Sequence, residues 1–230
     1  MNKPRRAHIL AIDIGGSHVK LRVSNRRAIK EFMSGDNLTP RLLVKQVLSI
    51  VRDWTYHYVT IGVPGMVVDG HIVCEPTNLG HGWIGFDFAK VFRRPTRIVN
   101  DAAMQALGAY TGGRMLFLGF GTALGAVFIA DSNIYPMELA HLPLTKRGLV
   151  QNYVGDEARR KLGTKRWSAH ARQLIKQLGN ALSAQYIVVG GGNAVHLGKL
   201  PRHVHLGDNR LAFVGGFRVW RALPTIRSSA

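Results

Sequence analysis

An amide and a carboxylate stand side by side at Asn100-Asp101. The β-branched and apolar run Thr96-Arg97-Ile98-Val99 precedes them, and the alanine-rich helical pattern Ala102, Ala103, Ala106, Ala109 follows. This predicts a strand that ends where a helix begins, the place where open α/β sheets put their ligands. A carboxylate there can take a proton from a substrate hydroxyl while the amide holds a neighbouring hydroxyl. The competing reading is structural, since aspartate is among the best helix N-caps and Asp101 is placed to be one.

Other chemistry-bearing residues sit on turns. Gly15-Gly16-Ser17 lies between an apolar strand, His8 to Ile14, and a second strand alternating Val19, Leu21, Val23. Bare glycines let backbone amides approach phosphate oxygens, and Ser17 adds a hydroxyl donor. Asp13, on the strand itself, can hold Mg²⁺ through water. An ordinary hairpin with a Gly-Gly turn explains the same residues without a ligand. A second glycine turn, Gly121 to Gly125, separates two further strands, and a third, Gly190-Gly191-Gly192, ends the strand Tyr186 to Val189. Glu138 and His141, three apart, share one face if their turn is helical. The glycine-rich loop 76–87 can offer Asn78 to a sugar hydroxyl with Trp83 packed beneath.

Scaffold must position these groups. Leu42, Leu43, Val47, Ile50, Val51 and Trp54 predict a helix, with Thr39 as cap and Pro40 at its first position. Strand 58–63 stops at Pro64-Gly65, and a hairpin turns at Asp69-Gly70. Residues 88–92 begin a short helix. From about 151 the pattern is helical and basic, with Leu174, Ile175, Leu178 and Leu182 as its apolar face.

The 230 residues, 46% of them hydrophobic, suffice for a folded core. The single cysteine, Cys74, excludes a disulfide framework and a cysteine-cluster metal site, and suits a reducing cytoplasm. No apolar run approaches the roughly 18 residues that span a bilayer. After the basic residues 1–6 the apolar run meets Asp13 too soon for a signal peptide. The net charge is +18, and residues 141–230 hold 15 basic but only 3 acidic side chains. Such a half invites a polyanion: nucleic acid, a membrane surface or a polyphosphorylated substrate. General basicity of composition is the alternative. Arg159, Arg160, Lys161, Lys165 and Arg166 crowd one helical stretch, where like charges repel unless an anion relieves them.

Taken in order, Asp13 to Lys20, Gly62-Val63-Pro64-Gly65, Asn100-Asp101-Ala102, Gly121-Thr122 and Glu138 to His141 resemble the ROK family of sugar kinases. With Asn78, Trp83 and the short length, the chain is most similar to the polyphosphate/ATP glucokinase branch. The resemblance spans residues 8 to 220. It implies a two-lobed, actin-like (ribonuclease H-like) α/β fold, with lobes 1–110 and 111–230 around a cleft. It implies phosphoryl transfer to the 6-hydroxyl of glucose or a similar hexose from ATP and/or polyphosphate, with Mg²⁺. Asp101 would be the base; Asn78, Asn100, Glu138 and His141 would hold the sugar. Asp13, Gly15, Gly16, Ser17, Lys20, Gly121 and Thr122 would face the donor phosphates, and Gly190, Gly191 and Gly192 the donor's far end. Relatives are commonly homodimers. Ala123 and Ala140 stand where the family has glycine and Gln151 where it has glutamate, and the family's zinc-binding cysteines are missing, so no zinc is expected. The alternatives are an ATP-only kinase for another sugar, or a non-catalytic relative that senses sugar or binds a polyanion. Nucleic acid is disfavoured, because no recognition-helix module precedes the kinase-like region.

Overall fold

The computed structural model describes residues 7–131, 133–145, 148–208 and 210–221. The basic residues 1–6, Lys146 and Arg147 lie outside the described residues. The chain opens with an antiparallel meander of β1 (Ile9–Ile14), β2 (His18–Val23) and β3 (Lys30–Met33). Every residue of β1 is buried except Asp13, so one carboxylate interrupts an apolar strand. In β2 the alternation holds, with Val19, Leu21 and Val23 inside. Helix α1 (Pro40–Ile50) starts as its sequence dictates: the Thr39 hydroxyl accepts from the Leu42 N–H and Pro40 takes the first turn. It leads to β4 (Tyr58–Val63), parallel to β1. The hairpin of β5 (Val67–Val68) and β6 (His71–Ile72), then α2 (Phe88–Phe92), precede β7 (Thr96–Asn100), parallel to β4. The first sheet therefore has the order β3-β2-β1-β4-β7. Helix α3 (Asp101–Ala109) follows β7 without a loop.

The second half repeats this plan. Strands β8 (Met115–Phe120), β9 (Leu124–Ala130) and β10 (Asn133–Met137) form an antiparallel meander. A 3₁₀ turn at Leu139–His141 and a small hairpin, β11 (Pro143–Thr145) with β12 (Gly148–Leu149), come next. The helical stretch expected from 151 is three helices: α4 (Gln151–Val154), α5 (Asp156–Leu162) and α6 (Thr164–Ala181). Gly155 and Gly163 divide them. Then β13 (Tyr186–Gly190) joins β8 in parallel, and β14 (Val204–Leu206) joins β13. The order β10-β9-β8-β13-β14 matches the first sheet strand for strand. The edge strands β3 and β10 had no sequence signal: β3 is largely exposed and β10 contains Pro136. Proline is tolerated at an edge because no ladder partner needs its missing N–H.

Three apolar clusters hold the layers together. Leu10, Ile12 and Ile61 pack with Leu43, Val47, Phe88 and Phe92. Leu116, Leu118 and Phe120 pack with Trp167, Leu174 and Ile175. Between the sheets, Met104 and Leu107 of α3 meet Met115, Phe117 and Val127. Each fully buried side chain of this size contributes about 1.5–3 kcal/mol. The last helix, α7 (Leu211–Arg218), returns to pack on α3, β1 and β4. The Thr60 hydroxyl donates to the Gly216 carbonyl at 2.7 Å and accepts from the Trp220 indole at 2.8 Å. The Arg218 guanidinium bonds the carbonyls of Leu107 (2.7 Å) and Tyr110 (2.9 Å), closing the end of α3.

Candidate active site

The β1–β2 and β8–β9 turns, equivalent in the two sheets, face each other across a cleft of about 760 Å³. That volume is in the range of small-molecule sites. The Gly15 N–H donates to the His18 carbonyl at 2.9 Å, and the Ser34 hydroxyl fastens the turn by donating to the Gly15 carbonyl at 2.7 Å. A β-carbon on Gly16 would stand 2.6 Å from the Thr122 hydroxyl and 3.2 Å from the Asn78 amide nitrogen. A larger residue there would have to push the Thr122 side chain aside where the two turns approach. At the third turn Gly191 has φ +82°, and a β-carbon there would stand 2.3 Å from the Phe120 carbonyl oxygen. Gly191 and Gly192 line the cleft, but Gly190 does not. Gly190 packs inward, with the Phe117 ring 2.9 Å from where its β-carbon would be. This corrects the expectation for Gly190, and Asn193 takes its place on the wall.

The cap of α3 is Asn100, not Asp101. The Asn100 side-chain oxygen accepts from the Ala103 N–H at 3.0 Å, and its amide donates to the Gly65 carbonyl at 3.0 Å. Asp101 is the first helical residue; its Oδ1 accepts from the Ala102 N–H at 2.8 Å. With capping assigned to its neighbour, Asp101 faces the cleft. Removal from water pushes its carboxyl up to about 7, helped by the nearby charges of Asp13 and Glu138 and opposed by the Ala102 N–H. Burial likewise pushes Asp13 up to about 6, against the pull of Lys20, its cross-strand neighbour. Asp13 Oδ1 is enclosed and has no hydrogen-bond partner. An enclosed, unpartnered carboxylate oxygen is costly unless a ligand or its water completes it.

Asp13, Gly15, Gly16, Ser17, Lys20, Asn78, Asn100, Asp101, Gly121, Thr122, Glu138 and His141 all line this one cleft. Glu138 precedes the 3₁₀ turn that carries His141, and both are exposed on the wall. Trp83 does not line the cleft. It is 1% exposed, and its indole N–H donates to the Gly80 carbonyl at 2.6 Å, so it anchors the loop from the core. Ala123 and Ala140 both lack positive φ, so their β-carbons impose no backbone strain. Gln151 opens α4 and does not line the cleft.

Among the lining residues that escaped the sequence reading, three are polar side chains at the heart of the site's framework. Gln105 lies one helical turn beyond Asp101, Asp156 follows Gly155, and Asn193 follows the third glycine turn. Helical spacing from Asp101 was a signal for Gln105. The crowded basic residues also read differently in three dimensions. Arg159 and Arg160 each reach Asp156 at 3.2 Å, and Lys161 reaches Glu157 at 2.6 Å. The helix pairs these three cations with its own two carboxylates, Arg159 and Arg160 sharing Asp156; among the described residues Lys165 and Arg166 have no acidic partner.

No protein-family model matches the sequence, and no curated protein sequence does. Solved structures do. An inorganic polyphosphate/ATP-glucomannokinase from Arthrobacter sp. strain KM superposes with TM-score 0.78 at 21% identity, covering 92% of this chain and 97% of that one. A ROK family glucokinase from Streptomyces griseus, in complex with glucose and AMPPNP, gives 0.75 at 14% identity, covering 93% and 99%. A ROK family transcriptional regulator, homologous to the E. coli MLC protein, gives 0.69 at 13% identity, covering 91% and 76%. The chain has the actin-like α/β fold of the ROK sugar kinases.

Proposed function

We propose that the protein is a sugar kinase that transfers a phosphoryl group to the 6-hydroxyl of glucose or a similar hexose. One observation carries this reading: the Asp101 carboxyl, whose pKa burial pushes up, stands in the same cleft as two opposed glycine turns. The sugar hydroxyl oxygen attacks the donor's terminal phosphorus, the bond from phosphorus to the bridging oxygen breaks, and the hydroxyl proton passes to Asp101. Asn78, Asn100, Glu138 and His141 hold the other hydroxyls. The amides of the two glycine turns, Ser17, Thr122 and Lys20 hold the donor phosphates. Bareness at Gly121 and Gly192 serves ligand approach: a β-carbon at Gly192 meets nothing within 4 Å, and at Gly121 only the Ala123 oxygen at 3.8 Å.

Asp13, with its unpartnered carboxylate oxygen, would hold Mg²⁺ through water, and the ion would shield donor charge there. Among the described residues no cluster of three His, Cys, Asp or Glu is built to hold a metal. Donor oxygens and water would complete its shell. ATP and polyphosphate are both proposed donors, and a cytoplasmic homodimer belongs to the same reading. Among the described residues no helix is long and apolar enough to cross a membrane.

A coupled assay crossing a hexose panel with ATP and polyphosphate tests the proposal. Turnover with glucose or a close relative and at least one donor is the expected result. Sugar binding with no turnover for any pair favours the second reading, a non-catalytic sugar sensor, which the similarity to a transcriptional regulator motivates. The pH profile gives a separate check. Asp101 must be ionised to accept a proton, so kcat should fall about tenfold per pH unit below about 7. A rate constant flat from pH 8 to pH 5 would remove Asp101 as the base.

A further inference from the structure

Asp156 opens α5 beside the second glycine turn, and its main chain already belongs to that turn. Its N–H donates to the carbonyls of Gly121 (3.0 Å) and Thr122 (3.4 Å). Its carboxylate gathers Arg159 Nη2, Arg160 Nε and Asn193 Nδ2, each at 3.2 Å. Arg159 reaches further, its Nε donating to Asn193 Oδ1 at 2.8 Å. Asn193 is 7% exposed and follows the third glycine turn. Its backbone N–H donates to the Phe120 carbonyl at 2.9 Å, one residue before Gly121, and its side-chain amide reaches the Gly121 carbonyl at 3.4 Å. A ring of hydrogen bonds thus joins α5, the second turn and the third. Burial opposes ionisation of Asp156, but the hydrogen bonds from Asn193 and Arg159 and the charges of Arg160 and Arg159 hold its carboxyl below the usual range. The ring therefore stays charged and closed at neutral pH.

A glycine turn is soft, and amides aimed at developing charge act through preorganisation. We infer that Arg159 and Asn193 are positioning residues that fix the second glycine turn against the third, and so set affinity for the phosphoryl donor and not for the sugar. This rests on the kinase reading. It also reassigns Arg159, which faces inward to its own chain and is not a free cation for a polyanion. The role needs the guanidinium fork, one nitrogen on Asn193 and another on Asp156; the single ammonium of lysine cannot span both in that geometry.

The test uses the full chain and the variants Arg159→Lys, Asn193→Ser and the double variant. Measured are KM for the donor the wild type uses, KM for hexose, melting temperature, and Kd for MgADP and for tripolyphosphate. Each single variant should raise donor KM, and Kd for the probe that binds, by roughly tenfold, because a misplacement of about 1 Å near reacting groups can cost up to about 10²-fold. Hexose KM should stay within about twofold. The double variant should be no worse than the worse single one, since both break the same ring. An unchanged donor KM, a parallel rise in hexose KM, or additive losses would overturn the inference while the kinase reading stands. A wild type that binds a probe but turns over no pair ends the kinase reading, and weaker probe binding in Arg159→Lys then still upholds the ring. A wild type that neither turns over nor binds either probe overturns both.

Discussion

Asp101→Asn is expected to lower kcat by about 10²-fold or more while hexose binding stays within a few-fold. The amide keeps the shape of the side chain and can still hydrogen-bond a hydroxyl. It cannot take the proton. The same substitution should affect stability in the opposite direction. The folded-state carboxyl is raised to about 7 from an ordinary value of 3.8, so the folded protein binds the proton more tightly than the unfolded chain. The stability this gives is fully present below the unfolded value and is lost as pH rises through about 7. Asparagine carries no buried charge, so above pH 7 the variant should melt at a higher temperature than the wild type, with the gap closing toward pH 4. Retained turnover would remove Asp101 from the chemistry. A variant that melts lower than the wild type at pH 8 would show that the ionised carboxylate is not strained by its site.

Gly215→Ala sets two known effects against each other, and their sizes decide the outcome. In a helix interior alanine is favoured over glycine by about 1 kcal/mol. Here α7 crosses α3 in close main-chain contact. A β-carbon on Gly215 would stand 1.7 Å from the Met104 carbonyl oxygen, and one on Gly108 would stand 1.9 Å from the Leu211 carbonyl oxygen. Neither obstacle is a flexible side chain. The helices must separate, loosening Met104, Leu107 and Ala212 in the cluster between the sheets. Backbone shifts of this kind typically cost 1–3 kcal/mol or more, and the loss of several buried contacts should carry the total past about 3 kcal/mol. For a chain of this size that lowers the melting temperature by roughly 6–12 °C. Because α3 begins at Asp101, activity should fall as well. A melting temperature unchanged or raised would mean that the crossing is looser than described.

Local pattern is what the sequence by itself determined. The strand-to-helix junction at Asn100-Asp101, the capped α1, the alternation of β2 and the three glycine turns each depend on neighbours in the chain, through propensity, capping and two-residue periodicity. The ion pairs of α5 were missed, because the run of like charges was weighed without Asp156 and Glu157, although Asp156–Arg160 and Glu157–Lys161 have helical spacing. The cap of α3 was expected one residue late, at Asp101. The extended backbone of Asn100, with ψ 142°, decided it in the structure. Only the tertiary structure decided the rest. The facing of Gly16 and Thr122 follows from two sheets with the same strand order. Strands β3 and β10 take their partners from a meander, not from apolar runs of their own. The Arg159–Asn193 bond joins residues 34 apart, and Gly215 meets α3 across more than a hundred residues. Such contacts leave no periodic trace because the two partners are brought together by the packing of whole elements, so each side of the contact alone reads as an ordinary surface or helical residue.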